Sequence, residues 1–434
     1  MPSVGLYTLG CKVSQYETEA IAEGFIARGF TVLPFDHVCD AYVINTCTVT
    51  AESDRKSRQF IRRAGTCNPQ AVIAVVGCYS QTSPDEVARI EGVDIVLGSA
   101  DKMSVIDRVE RCLAERVPVV AVTPIDDAPF EPMSIRHAPR TRAYVKIEDG
   151  CECRCTYCAI PNARGRVRSK PPMDVIAEVE ALAAAGTQEI VLTGIETASY
   201  GADFAEPYGL ADLLEQLQER GSCRRVRLGS LSPEVMKPAF LARICRLPIL
   251  VPHFHLSMQS GSDAVLHRMK RRYNRAMALD ALARARALIP RVQFTTDLMV
   301  GFPGEGEREF AETLDFVTQA RFLDAHVFAY SRRPGTPAAS YDGQVDEAVK
   351  RERSAALIEA THRVRDDILS GLVAEAEPLS VVLETKKGGV YHAHSDTFVA
   401  VCVQAPDDKT DLRGTVCDVI PIGHENGVLL AKLA

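Results

Sequence analysis

Four cysteines crowd into eight residues, at Cys151, Cys153, Cys155 and Cys158. Three of them, Cys151, Cys155 and Cys158, are spaced C-x3-C-x2-C. Three thiolates can hold three irons of a [4Fe–4S] cube and leave the fourth iron open to a ligand, because thiolate is a soft donor suited to such clusters. Two other chemistries use the same residues. With Cys153 the set supplies the four ligands of a structural zinc site. Cys155-Thr156-Tyr157-Cys158 has the spacing of a redox dithiol, a motif that belongs at the start of a helix in a thioredoxin-type unit.

A second group is dispersed in sequence but repeats one position. Leu9-Gly10-Cys11, Asn45-Thr46-Cys47 and Val76-Gly77-Cys78 each directly follow an apolar or β-branched run, at Val4–Thr8, Ala41–Asn45 and Ala71–Val76. With a fourth run at Asp94–Leu97 and helix-like stretches around Glu17–Arg28 and Glu52–Ala64, strands recur about every 30 residues, the length of a βαβ unit. Such units build an open parallel sheet whose strand C-termini share one edge, where ligands bind. Cys11, Cys47 and Cys78 are therefore expected to converge there. The alternative is three small buried side chains at strand ends, since free cysteine packs like a small hydrophobe.

Residues 1–122 thus form an α/β domain, and the proline-interrupted segment 123–142 reads as a linker. Strand candidates resume at Ala143–Ile147, Glu189–Thr193, Arg225–Leu228, His253–Ser257, Gln293–Leu298 and Asp324–Tyr330. Six strands with intervening helices over 143–372 predict a partial (β/α)6 barrel with its functional residues at the strand C-termini. The first cysteine cluster follows the first of these strands. After a charged helical stretch around Val345–Ser370, residues 373–434 carry short strands such as Ser380–Glu384 and Thr397–Val403. They read as a small all-β barrel.

Composition bounds the function. Apolar residues make up 46% and charged residues 25%, which excludes a largely disordered or fibrous chain. The net charge of −7 gives no chain-wide support for nucleic-acid binding, so any basic surface is local. No apolar run approaches the ~20 residues of a membrane helix, and the N-terminus does not resemble a secretory signal. The 14 cysteines are therefore expected in a reducing, cytoplasmic setting, as ligands or catalytic groups rather than disulfides.

The order of motifs along the barrel carries a resemblance. C-x3-C-x-Y-C after the first strand, then Thr193-Gly194-Ile195-Glu196, Leu256-Ser257-Met258-Gln259-Ser260-Gly261-Ser262 and Thr296-Asp297-Leu298-Met299-Val300-Gly301, resembles the radical S-adenosylmethionine (SAM) superfamily. The resemblance implies that Cys151, Cys155 and Cys158 hold a [4Fe–4S] cluster whose open iron chelates the methionine moiety of SAM. It further implies that Tyr157, Gly194, Glu196, Ser257, Gln259, Asp297 and Gly301 surround that cofactor. With the N-terminal sheet and a terminal barrel of the TRAM, OB-like kind, the whole chain resembles the methylthiotransferases. In that family Cys11, Cys47 and Cys78 would bind a second [4Fe–4S] cluster. One SAM would methylate a sulfur there, and another would yield the radical that opens a C–H bond, with electrons from a donor such as flavodoxin or ferredoxin.

The branch is read from Leu192–Gly201, Pro161–Ser169, Arg268–Tyr273 and His326–Pro337, which look like the enzymes acting on threonylcarbamoyladenosine in tRNA. Isopentenyladenosine in tRNA, a ribosomal-protein aspartate, and a metal-stabilised RNA-binding module without catalysis stay open as alternatives. Local basic runs suit an RNA partner, since Lys and Arg contacts to phosphate supply most sequence-independent affinity. The candidates are Arg164, Arg166 and Arg168 after the cluster, Lys270, Arg271 and Arg272 after a strand-end motif, and Lys386 and Lys387 in the terminal domain. Tyr391, His392 and Phe398 are candidate stacking residues there, although from Val373 onward nine acidic residues face five basic ones.

Overall fold

The structure, a computed structural model, describes residues 1–126, 128–221, 223–404 and 411–434. Its first sheet is wholly parallel, with strands in the order Thr31–Leu33, Ser3–Thr8, Ala41–Thr46, Val72–Gly77, Val93–Leu97, Val119–Ala121. The four strands expected from the sequence are present. The two edge strands are three residues each, too short to show a period. Ala41–Thr46 and Val72–Gly77 are buried along their whole length because helices cover both faces, which is why they read as unbroken apolar runs. The chain order reverses between Ser3–Thr8 and Ala41–Thr46. In an open α/β sheet, ligands bind in the crevice outside the strand C-termini at such a reversal.

The segment between Ala121 and Arg142 carries no helix or strand among its described residues, yet it is not a free tether. Met133 and Ile135 are buried in the barrel's core cluster. The Met133 carbonyl accepts bonds from Tyr16 Oη at 2.7 Å and Lys170 Nζ at 2.7 Å, and Ile135 N donates to Glu178 Oε1 at 2.7 Å.

The central domain is the expected partial barrel of six strand positions. Arg142–Lys146, Glu189–Thr193 and Arg225–Leu228 form one parallel sheet; Ser230–Leu231, His253–Gln259, Gln293–Val300 and Asp324–Ala329 form the other. Arg225–Leu228 and Ser230–Leu231 are two halves of one strand, broken where Gly229 N turns to Leu192 O at 2.8 Å. The 29-residue helix Glu347–Glu375 packs on the last strand and leads into the terminal domain. That domain is a closed five-stranded barrel in the order Leu379–Lys387, Val390–Ser395, Ala400–Gln404, Val428–Leu433, Val416–Glu425. The third and last strands run parallel and the other pairs antiparallel, the connectivity expected of an OB-like barrel. Among the described residues no helix is long and apolar enough to cross a membrane.

The terminal barrel sits under the strand N-termini of the central domain. Phe398 is stacked on His253 at 4.6 Å between ring centroids, with the Arg227 and Arg142 guanidinium groups 5.0 and 5.6 Å from its centroid. Arg227 also pairs with Glu189 at 2.8 Å and donates to the Ser395 and Asp396 carbonyls.

At the opposite end a buried ion network fixes the N-terminal domain on the barrel. Glu17, on the helix Lys12–Ala27, has no solvent exposure. It accepts from Lys102 at 3.0 Å, from Lys146 on the first barrel strand at 3.0 Å, and from Arg164 at 2.5 Å. Burial pushes its pKa up, but Arg164, Lys102 and Lys146 together hold it well below the usual carboxylate range. Removing one member of a buried ion group strands the others without water, a loss of about 3–5 kcal/mol. Glu17→Ala is accordingly expected to destabilise the apo-chain by about that amount, measured as a lowered midpoint of denaturant unfolding. An unchanged midpoint would show that the network does not hold the domains.

Candidate active site

The first cysteine triad rises directly from the first barrel strand. Glu148 and Asp149 pair with Arg168 and Ser169, and Gly150 then turns with φ of +90°. A Cβ at Gly150 would stand 1.8 Å from the Arg166 carbonyl oxygen, so only glycine lets the cysteine loop pass this close. Cys151 N donates to Gly165 O at 3.0 Å and Cys153 N to Cys151 Sγ at 3.5 Å. Arg271 Nη1 donates to Cys155 Sγ at 3.4 Å. Burial pushes the Cys158 thiol up to about 12, with the charge of Cys155 adding to it. Thiols so placed are inert until a metal displaces the proton.

The cysteines of the second triad each follow a strand of the N-terminal sheet at its C-terminal edge, Cys11 and Cys47 on the two strands flanking the reversal and Cys78 on the next. Cys11 caps the helix Lys12–Ala27, Cys47 follows Ala41–Thr46, and Cys78 opens the helix Cys78–Thr82. A Cβ on Gly10 would lie 3.2 Å from Cys47 Cβ and 3.5 Å from its sulfur, so the two loops are adjacent. Burial, and then the charges of Cys78 and Cys11, raise the Cys47 thiol to about 12.

The two triads face each other. Arg164 Nε, six residues past Cys158, donates to Cys78 Sγ at 3.1 Å. Beyond the second triad, Ala51 N donates to Ser331 Oγ at 3.1 Å and Arg333 bonds Thr48 Oγ1 and Asp54, each at 2.7 Å. The C-terminal edges of both sheets therefore meet across one space.

The residues expected around SAM are distributed over that edge. Glu196 lines a cleft of 530 Å³ with Cys153, Ser232, Glu234, Lys237 and Arg272. Its Oε1 accepts from Ser232 N at 3.0 Å, and its own N–H donates to Glu148 Oε2 at 2.9 Å. Burial and the neighbouring Cys153 raise the Glu196 carboxyl to about 7. Gly194 passes against Glu148, whose Oε2 would be 2.5 Å from an added Cβ. Tyr157 stands edge-on to Phe302 at 6.5 Å, beside Tyr330 and Met299. The Ser257 carbonyl is held by Arg271 Nη2 at 2.9 Å and Tyr273 Oη at 3.2 Å. Gln259 is buried with φ of +67°, and its Oε1 has no hydrogen-bond partner among the described residues.

Asp297 and Gly301 are placed differently from the rest. Asp297 accepts from His255 Nε2 at 3.1 Å and His326 Nδ1 at 3.3 Å, and these bonds hold it below the usual carboxylate range despite burial. Gly301, with φ of +69°, packs on the Lys350 stem and donates its N–H to Glu305 at 2.8 Å.

The basic runs need correction. Arg164 is fully buried, spent on Glu17, Asp149 and Cys78, and no phosphate reaches it. Arg168 donates to the Arg164, Ala128 and Pro129 carbonyls, and Arg271 to Cys155 and Ser257. Arg166, Lys270, Arg272, Lys386 and Lys387 are exposed. Phe398 is spent on the barrel floor, and Tyr391 is buried under Lys386, leaving His392 exposed. The sequence reading missed Glu148 and assigned Arg271 to RNA phosphate rather than to the cysteine loop, where it bonds Cys155 and Ser257. A carboxylate inside a strand and an arginine inside a basic run carry no signal of their own.

Among the described residues, no three His, Cys, Asp or Glu side chains converge closely enough for a single metal ion. A cube takes its thiolates on separate iron corners, so its ligands need no common point. Two soft-donor triads, with the unpartnered buried oxygens Gln259 Oε1 and Glu148 Oε1 nearby, fit a [4Fe–4S] cluster and a polar cofactor.

Comparison with known proteins agrees. Residues 145–317 match the radical SAM superfamily, and residues 3–98 match the uncharacterized protein family UPF0004. The chain is 41% identical over 94% of its length, and 92% of the relative's, to the threonylcarbamoyladenosine tRNA methylthiotransferase MtaB of Bacillus subtilis (strain 168). It is 35% identical over 85% of its length, and 77% of the relative's, to the tRNA-2-methylthio-N(6)-dimethylallyladenosine synthase of Acidothermus cellulolyticus. Its fold is similar to the radical S-adenosylmethionine methyltransferase TsrM from Kitasatospora setae. The TM-score is 0.57 at 15% identity, covering 78% of this chain and 77% of that one. Motif order, facing cysteine triads and chain-long identity agree, and the chain belongs to the radical SAM methylthiotransferases.

Proposed function

We propose that this protein methylthiolates C2 of N6-threonylcarbamoyladenosine at position 37 of tRNA, next to the anticodon, using two SAM and two [4Fe–4S] clusters. The observation that carries this reading is the 41% identity to a threonylcarbamoyladenosine enzyme along nearly the whole chain. The placement of both triads at one shared edge supports the two-cluster part of it.

In this reading Cys151, Cys155 and Cys158 hold the cluster that engages SAM, and Cys11, Cys47 and Cys78 hold the other. When bound, these groups supply one-electron chemistry for a C–H bond too weakly acidic for a general base. The chain's own residues bind and orient. Glu196 would accept an N–H of the methionine amino group, since an ionised carboxylate only accepts in a hydrogen bond. Glu148 fixes that loop through the Glu196 N–H. Arg271 places positive charge on Cys155 and shapes the Ser257–Met258 backbone. Tyr157 and Phe302 form an apolar wall for a nucleoside base. Arg166, Lys270 and Arg272 at the rim, with Lys386 and Lys387 on the terminal barrel, contact RNA phosphate. The protein acts in the cytoplasm and draws electrons from a flavodoxin- or ferredoxin-type donor.

Anaerobic turnover with tRNA bearing the threonylcarbamoyl group, followed by nucleoside digestion and mass spectrometry, is expected to give the 2-methylthio product. The same tRNA without that group should give none. Product from dimethylallyladenosine tRNA or from a ribosomal-protein aspartate instead would overturn the branch.

The Glu196 role has a pH signature. Its carboxyl titrates at about 7, so about a tenth is ionised at pH 6 and about nine-tenths at pH 8. The ionised form accepts the methionine amino group better than the neutral acid does, so SAM affinity should fall by up to about tenfold from pH 8 to pH 6. Equilibrium dialysis should show that slope in the native chain and none in Glu196→Gln. A flat native profile contradicts the role.

A further inference from the structure

We infer that Arg164 is a positioning residue shared by the two cysteine triads, whose Nε–H holds the Cys78 sulfur and tunes the cluster bound there. The inference rests on the two-cluster reading above. Arg164 ends the helix Ile160–Arg164, directly after the first triad. A guanidinium presents five donors in a rigid fork. Nη1 and Nη2 take the two Glu17 oxygens at 2.5 and 3.2 Å, and Nη1 also reaches Asp149 Oδ2 at 3.1 Å. Nε is left pointing at Cys78 Sγ, 3.1 Å away.

The partners place this one side chain at three structural joints. Glu17 lies on the helix that Cys11 caps. Asp149 precedes Cys151 by two residues. Cys78 is itself a ligand of the second triad. The short helix that Arg164 ends packs against Cys78–Thr82, so backbone contact reinforces the side-chain bond.

The fork is anchored in a buried charge network: Lys102, Lys146 and Arg164 share Glu17, Lys146 and Arg164 also reach Asp149, and Arg168 lies 3.8 Å from Asp149. A hydrogen bond to a ligand sulfur favours the more reduced, more negative state of a cluster and so raises its potential. Lysine at 164 keeps the charge but has neither the fork nor the Nε–H.

The test is an EPR-monitored redox titration of the reconstituted full chain, native, Arg164→Gln and Arg164→Lys. Two cluster signals are expected in the native chain. In each variant the second-triad signal should titrate at a lower potential while the first-triad signal stays in place. The yield of methylthio product per SAM cleaved should fall. If Arg164→Gln fails to fold, Arg164→Lys alone decides. Two native signals with an unmoved second potential would overturn the Arg164 assignment and leave the two-cluster reading standing. A single native signal would overturn that reading and the inference with it.

Discussion

The Glu17 carboxylate has no water to ionise into, and three cations from three different stretches of chain supply what water would. Lys102 comes from the N-terminal domain, Lys146 from the first barrel strand, and Arg164 from the turn after the first cysteine triad. A buried charge is tolerable only if every partner is in place. The network therefore admits one docking of the N-terminal domain on the barrel. In that docking the strand C-termini of both sheets face each other, and with them both cysteine triads. Such C-terminal edges are where parallel α/β sheets bind ligands.

The other end of the barrel is closed by the terminal domain. Phe398 fills the opening, with His253, Arg142 and Arg227 around it, and Glu189 satisfies the Arg227 guanidinium. The polar group His255, Asp297 and His326 lies on the strands between the cysteine-bearing face and the closed floor. The exposed basic residues Lys270 and Arg272 stand beside the triad, while Lys386 and Lys387 lie at a hairpin of the terminal barrel bordering a cleft of 750 Å³.

The barrel strands and the strand-end placement of the cysteines were legible because their signals are local: strand period, turn glycines, and thiol spacing after each strand. Edge strands Thr31–Leu33 and Val119–Ala121 were not, since three residues show no alternation. The segment 123–142 reads as a linker from its prolines, and only tertiary contact shows that Met133 and Ile135 anchor it. The run Arg164–Lys170 reads as an RNA-facing surface because charge normally marks solvent. Arg164, Arg168 and Lys170 turn inward because buried carboxylates on other elements, Glu17, Asp149 and Glu178, await them. No local pattern encodes such pairing, and the same holds for Glu148 under Gly194 and Arg271 against Cys155.

The proposed chemistry requires each cysteine triad to hold its own iron–sulfur cube. Iron and acid-labile sulfide content of anaerobically reconstituted protein, read with Mössbauer spectra, tests this directly. About eight irons per chain are expected for two [4Fe–4S] clusters, falling to about four in Cys47→Ala with the first cluster's spectrum intact. About four irons in the native chain, unchanged in Cys47→Ala, would contradict the second cluster and the methylthio chemistry assigned to it.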